Sequence, residues 1–271
     1  MRVISGFSLM ASLMATSFFA SAQDATTMPP PPEPPPVVYS DAPVSGAAKT
    51  LVDGSIVRQP FLGIITNDKP GFRTTWENKV AIDTITVPKA KRADAALVIG
   101  TGMAFREIYT YLPKADDSST NMFVDSLTFF MNIGAKDKLI CEIMLPGSNP
   151  SISAKQNADL EERMTSVFLE RLMPSLAAVV VSGADGEEQL LEDDGIRDLV
   201  TPVILSMSNK HGPDSVRRLG SLNDTSIDSM QRCEAMAWMM EGFVELPEHD
   251  RAMLARTLFS KQGRDAAAKA Q

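Results

Sequence analysis

Cys141 and Cys233 are the side chains in this chain with the most sharply defined chemistry. They lie 92 residues apart, so there is no Cys-x-x-Cys pair and thioredoxin-type exchange has no basis. In an oxidising, exported setting an even cysteine count predicts a disulfide between them. Closing a loop of that length removes unfolded-chain entropy worth about 4–5 kcal/mol, less any strain. The alternative is two separate buried thiols acting as small hydrophobes.

Histidine chemistry has little to draw on. His211 and His249 are the whole supply, and both fall at expected helix termini, where His211 near a C-terminal end gains from the helix dipole as a cation. No His-Glu-x-x-His, Gly-x-Ser-x-Gly or Ser-x-x-Lys occurs anywhere in the chain, so the common metal-hydrolase and nucleophile motifs are missing. Paired carboxylates stay open, because such sites leave no local spacing to read.

Three other groupings invite a functional reading, and each has a plainer explanation. Met230, Met236, Met239 and Met240 offer thioether sulfur, a ligand for monovalent copper. They interleave with Ala235, Ala237, Trp238 and Phe243, which predicts core packing instead. Gly100-Thr101-Gly102 follows an apolar run at 95–99 and matches the first two glycines of a dinucleotide fingerprint, with Asp125 near the distance of a ribose-binding acid. Phe105 stands where the third glycine belongs and would crowd the helix–strand contact, so a strand–turn–helix or a glycine-bent helix is expected. Asp185, Glu187, Glu188, Glu192, Asp193, Asp194 and Asp198 supply dense oxygen donors of the kind that bind calcium. They lack EF-hand spacing and its central glycine, and a solvated loop running into a helix cap explains them. No cofactor and no metal are expected.

The elements that would position these residues are read from periodicity. Residues 55–65 and 79–87 read as short strands flanking the turn Asn67-Asp68-Lys69-Pro70-Gly71. Residues 103–112 and 119–133 carry helical apolar spacing, while 137–145 fits a short helix or a buried strand equally well. Pro146-Gly147-Ser148-Asn149-Pro150 is the softest boundary. Beyond it Leu160, Met164, Val167, Phe168 and Leu172 form one helical face, with Pro174 expected to kink or restart the helix. A second helix is capped by Asp193 or Asp194 and places Ile196, Leu199, Val200, Val203 and Met207 on one stripe. Residues 224–246, capped by Asn223-Asp224-Thr225, read as the buried central helix of this part. Pro247 ends it and opens a last helix with Met253, Leu254, Leu258 and Phe259 on its apolar side.

The expected fold class is therefore α+β and helix-rich. A mixed half spans 45–146, a half of about four packed helices spans 151–262, and 263–271 is a frayed tail.

The amino terminus reads as a signal peptide over 1–22. Arg2 is the only charge before Asp24, the run 3–20 is apolar, and Ala20-Ser21-Ala22 fits a small-residue cleavage site after Ala22. An uncleaved membrane anchor is the alternative, although Ser5, Ser8, Ser12, Thr16 and Ser17 dilute the segment. Residues 23–44 follow, centred on Pro29-Pro30-Pro31-Pro32-Glu33-Pro34-Pro35-Pro36, an extended polyproline rod within a disordered leader or a ligand for a proline-binding groove.

Composition narrows the function classes. The 271 residues are 44% hydrophobic and 22% charged with a formal net charge of −8, an ordinary globular balance. A general nucleic-acid binder needs a basic footprint, and the longest basic cluster here, Lys89, Lys91 and Arg92, reads as a solvated turn. No integral membrane span is expected after cleavage.

The sequence thus points to an exported protein, periplasmic or else extracellular or N-terminally anchored. Its expected role is a non-catalytic binding or structural module acting on an envelope or protein partner, in an oligomeric state the sequence leaves open. An envelope hydrolase using paired carboxylates and a carrier of a small apolar ligand are the alternatives.

Overall fold

The computed structural model describes residues 46–145, 156, 160, 164, 167–222, 224 and 226–269. The expected signal peptide with Ala20 and Ala22, the proline-rich leader and the boundary loop after Leu145 lie outside these residues. Among the described residues every regular element is helical. The α+β expectation is corrected to all-α.

The correction falls on the first half. Residues 46–106 form four helices, α1 (Gly46–Arg58), α2 (Phe61–Asp68), α3 (Phe72–Asp83) and α4 (Arg92–Arg106). The two expected strands are the end of α1 running into α2, and the end of α3 with the turn beyond it. Alternation was only partial there, and the helical spacing that extends past the expected strand limits decides. Ala48, Val52 and Ser55 face inward from α1, and Phe72, Trp76 and Val80 from α3, at intervals of three and four that one helical face collects. The Asn67–Gly71 turn is present: α2 ends at Asp68 and Gly71, at φ 83°, opens α3.

α4 also differs from expectation. It runs unbroken through Gly100-Thr101-Gly102 and stops at Glu107, ahead of a single turn, α5 (Ile108–Tyr111). Gly100 is explained by packing, since a Cβ there would collide with the indole of Trp76. Trp76 is fully buried and its Nε1 donates to the Ala96 carbonyl at 3.0 Å, which satisfies the one polar atom of the largest side chain in this cluster.

The centre of the molecule is α6 (Asp117–Gly134). Asp116 caps it by accepting from the Ser119 amide at 2.7 Å. Phe123, Val124, Leu127, Phe130 and Met131 are buried along it. Four helices pack on it: α7 (Lys138–Met144), α8 (Met173–Ala184), α11 (Ser229–Val244) and α12 (Glu248–Lys269). α9 (Asp193–His211) and α10 (Asp214–Gly220) pack on α11. The segment 137–145, which periodicity left open, is helical as α7, with Asp137 capping the Leu139 and Ile140 amides.

The helix expected as central is α11, and it starts later than expected. Its cap is Asp228, which accepts from the Met230 amide at 2.9 Å, whereas Asp224 closes a preceding turn by accepting from the Ser226 amide. Likewise Glu192, not Asp193 or Asp194, occupies the cap of α9, and both aspartates sit in its first turn near the positive end. Pro174 falls where a π-helical turn, Phe168–Leu172, runs directly into α8, with the proline in the first turn of α8, an irregularity of the kind that accommodates a proline along a helical path.

α8 joins the N-terminal cluster to the centre, because it packs on α2 and α5 as well as on α6. Its approach to α5 is close. A Cβ on Gly183 would collide with the backbone carbonyl of Tyr111, and Tyr111 in turn donates from its hydroxyl to Asp68 of α2 at 3.0 Å.

Candidate functional site

Cys141 on α7 and Cys233 on α11 form a disulfide with Cα atoms 5.9 Å apart, within the span such a bond requires. Both are buried in the core. The bond fastens the short helix α7 to α11, next to the α6 surface on which both pack.

The charged residues converge where α6 begins and α12 crosses it. The Arg256 side chain is fully buried, and its Nη2 lies 2.5 Å from Oδ1 of Asp117. Nη1 donates to Oε1 of Gln189 at 2.9 Å, and Nε has no partner. The other carboxylate oxygen of Asp117 meets Nδ1 of His249 at 2.7 Å. One turn along, Nε of Arg251 donates to Oδ1 of Asn121 at 2.7 Å, while the Asn121 amide donates to the Glu248 carbonyl at 2.9 Å. Asp125, the candidate ribose-binding acid, is the ion-pair partner of Arg251 at 3.4 Å.

An aspartate holding a histidine is the orienting half of many acid–base sites, so the protonation of Asp117 matters. Burial raises its pKa, but hydrogen bonds from His249 and Arg256, with the charge they carry, outweigh burial and hold it below the ordinary carboxylate value. A carboxylate held low is a permanent charge partner; a general base is most effective when poised near the operating pH. The cluster has the properties of a clamp between α6 and α12. Sequence reasoning missed it, although one signal was available. Arg256 occupies the apolar stripe of α12, at helical spacing from the buried Ala252 and Phe259, a position where a charge needs a buried partner.

The second histidine is also engaged. The His211 ring stacks on Trp238 with centroids 4.4 Å apart and planes 9° apart, and its Nε2 lies 3.1 Å from Oε2 of Glu241. Arg218 stands over the same indole at 5.7 Å and pairs with Glu234 at 3.5 Å. Glu245, one turn beyond Glu241, binds both Ser206 and Lys210, and those hydrogen bonds hold its pKa below the ordinary range. Glu234, Trp238 and Glu241 on α11, with Glu245 at its C-cap, thus form one stripe that receives α9 and α10.

Met236, Met239 and Met240 are buried in the core and Met230 packs against it, which places these sulfurs among apolar neighbours. Asp185, Glu187 and Glu188 are exposed in the loop before α9. That loop is pinned from behind, where the Gln189 amide donates to the Pro113 carbonyl at 2.9 Å and the Leu191 amide to Oγ1 of Thr257 at 2.8 Å. Asp194 pairs with Arg197 at 3.2 Å. Among the described residues no three His, Cys, Asp or Glu side chains are grouped to hold a metal ion, and no helix is long and apolar enough to cross a membrane.

One surface region differs from these internally paired clusters. At the corner between α3 and α4, Ile82 and Ile85 are 62% and 69% exposed, and Val57 near the end of α1 is 81% exposed. Lys89 and Lys91, in a single 3-10 turn (Lys89–Lys91) between α3 and α4, are also exposed. No protein-family model, curated protein or solved structure matches the chain.

Proposed function

We propose that this protein is an exported helical module that acts by binding, with an envelope or protein partner as its target. The observation that carries this reading is the corner of α3 and α4, where Ile82 and Ile85 stand among the most exposed large apolar side chains. Burying such side chains against a partner is favourable by about 1.5–3 kcal/mol each at full burial. The rest of the chemistry-bearing inventory serves the fold: Asp117, His249 and Arg256 clamp α12, while His211 and Trp238 seat α9 and α10 on α11.

The buried Cys141–Cys233 bond fits an oxidising, exported compartment. Hydrogen bonds and neighbouring cations hold Asp117, Asp224 and Glu245 below the ordinary carboxylate range, the opposite of an acid kept protonated near neutrality. Chemical crosslinking of the tagged, processed protein in its own envelope, followed by affinity capture, tests the reading. A reproducible adduct is expected. Complete recovery of the uncrosslinked chain would count against it.

A further inference from the structure

The α3–α4 corner has a chemical signature that narrows the partner, and the narrowing rests on the binding reading above. Its backbone is fixed by hydrogen bonds. The Thr84 hydroxyl, buried, donates to the Val80 carbonyl at 2.7 Å, and the Val87 amide donates to the Thr84 carbonyl at 3.1 Å. Arg92 then reaches back from the start of α4, with Nε donating to the Val87 carbonyl at 2.9 Å and Nη2 to the Ile85 carbonyl at 3.2 Å. Ile82 and Ile85 are therefore held outward on a set scaffold.

The charges around them are unbalanced. Asp83 pairs with Lys79 at 3.2 Å and Asp94 pairs with Arg58 at 2.9 Å, so both local carboxylates are neutralised. Lys89, Lys91 and Arg92 remain as excess positive charge in a chain whose net charge is −8. Rigid apolar tips backed by lysines whose stems can lie along them form the arrangement that seats a protein at an anionic bilayer interface.

We infer that the α3–α4 corner, through Ile82, Ile85, Lys89 and Lys91, docks the protein on an anionic lipid surface. The isoleucines enter the headgroup–acyl boundary and the lysines engage the lipid phosphates. Charge complementarity selects this occupant. A second copy of the chain, itself acidic overall, brings no comparable density of phosphate, and the apolar tips are few and separate where a stable dimer needs a broad, closely packed face.

The test is flotation of the processed, disulfide-bonded protein with vesicles of phosphatidylcholine alone or rich in phosphatidylglycerol. The wild-type chain is expected to float with the anionic vesicles and not with the neutral ones, and to be released as salt is raised. Ile82→Ser with Ile85→Ser should weaken binding about tenfold or more. Each of Lys89→Gln and Lys91→Gln should weaken it about fivefold. All four positions are exposed, so unchanged melting curves confirm that the variants fold. Wild-type protein that stays unbound, or variants that float as it does, would overturn the inference. Salt-insensitive self-association abolished by Ile85→Ser would overturn it in favour of a second copy. A photo-crosslinker at position 85 separates the two levels: an envelope protein captured there, with no vesicle binding, removes the lipid and keeps the binding module. Capture of nothing removes both.

Discussion

Replacing Asp117 with Asn tests whether the α6–α12 clamp carries the weight assigned to it. Arg256 is wholly buried, and among the described residues Asp117 is its one anionic partner, with Nη2 and Oδ1 2.5 Å apart. At an effective dielectric of about 20, unit charges near 4 Å apart attract by about 4 kcal/mol. The Asp117 side chain is 40% exposed, so screening reduces that figure, and about 2–3 kcal/mol is expected to remain. Much of the loss comes from the guanidinium left behind, buried with Gln189 as its neighbour and Nε already unpartnered.

Arg256→Met removes the stranded charge and fills the site with an apolar chain, at an expected cost of about 1–2 kcal/mol. The double variant should then cost little more than Arg256→Met alone, a coupling of about 1.5 kcal/mol or more. Equilibrium urea unfolding followed by circular dichroism, with the disulfide intact, gives all three values. Additive effects, or an Asp117→Asn cost below about 0.5 kcal/mol, would refute the clamp.

Other outcomes follow from the same structure. The Asp117 pKa is depressed below 3.8 in the folded state, so the stability it contributes is present above that value and lost as pH falls through the folded value. Acid unfolding of the wild type should therefore steepen below about pH 4, and Asp117→Asn should flatten that limb. Alkylation of the denaturant-unfolded protein without reductant should add no label at Cys141 or Cys233, and replacing both with Ala should lower stability by up to about 4–5 kcal/mol. Two labels would exclude the bond. Gly183→Ala forces a Cβ onto the Tyr111 carbonyl, a backbone atom that cannot swing aside, and should cost about 2–4 kcal/mol in thermal melts. Gly102→Ala, where nothing lies within 4 Å, should instead stabilise α4 by about 0.5–1 kcal/mol.

The longer helices after residue 167 were legible because their apolar positions recur at three and four over several turns, as with Ile196, Val203 and Met207 on α9, whereas the short α10, Asp214–Gly220, reads in sequence as a turn. The strands expected in the first half came from β-branched residues at 80–87 whose side chains divide between core and solvent. Val80 faces in, whereas Ile82 and Ile85 face out, and that division reflects how α3 packs on α1, a tertiary fact no local window contains. The central position of α6 was hidden for the same reason, since its partners α8, α11 and α12 lie far along the chain. The disulfide was legible from cysteine count and compartment alone. The Asp117–Arg256 clamp was not, because the two residues are 139 positions apart. The lysines at 89 and 91 read as a solvated turn in sequence, and the outward exposure of Ile82 and Ile85 at the same corner was not legible there.

The most direct measurement is site-specific photo-crosslinking in cells that express the full chain, with the probe at position 85 or at position 205 on α9. Leu205 is a fair control, being 56% exposed yet set in a helix that packs on α10 and α11 and away from the basic corner. If the α3–α4 corner is the binding surface, the probe at 85 yields a discrete adduct with lipid or envelope protein, and the probe at 205 does not. Adducts from 205 alone, or none from 85, would contradict it.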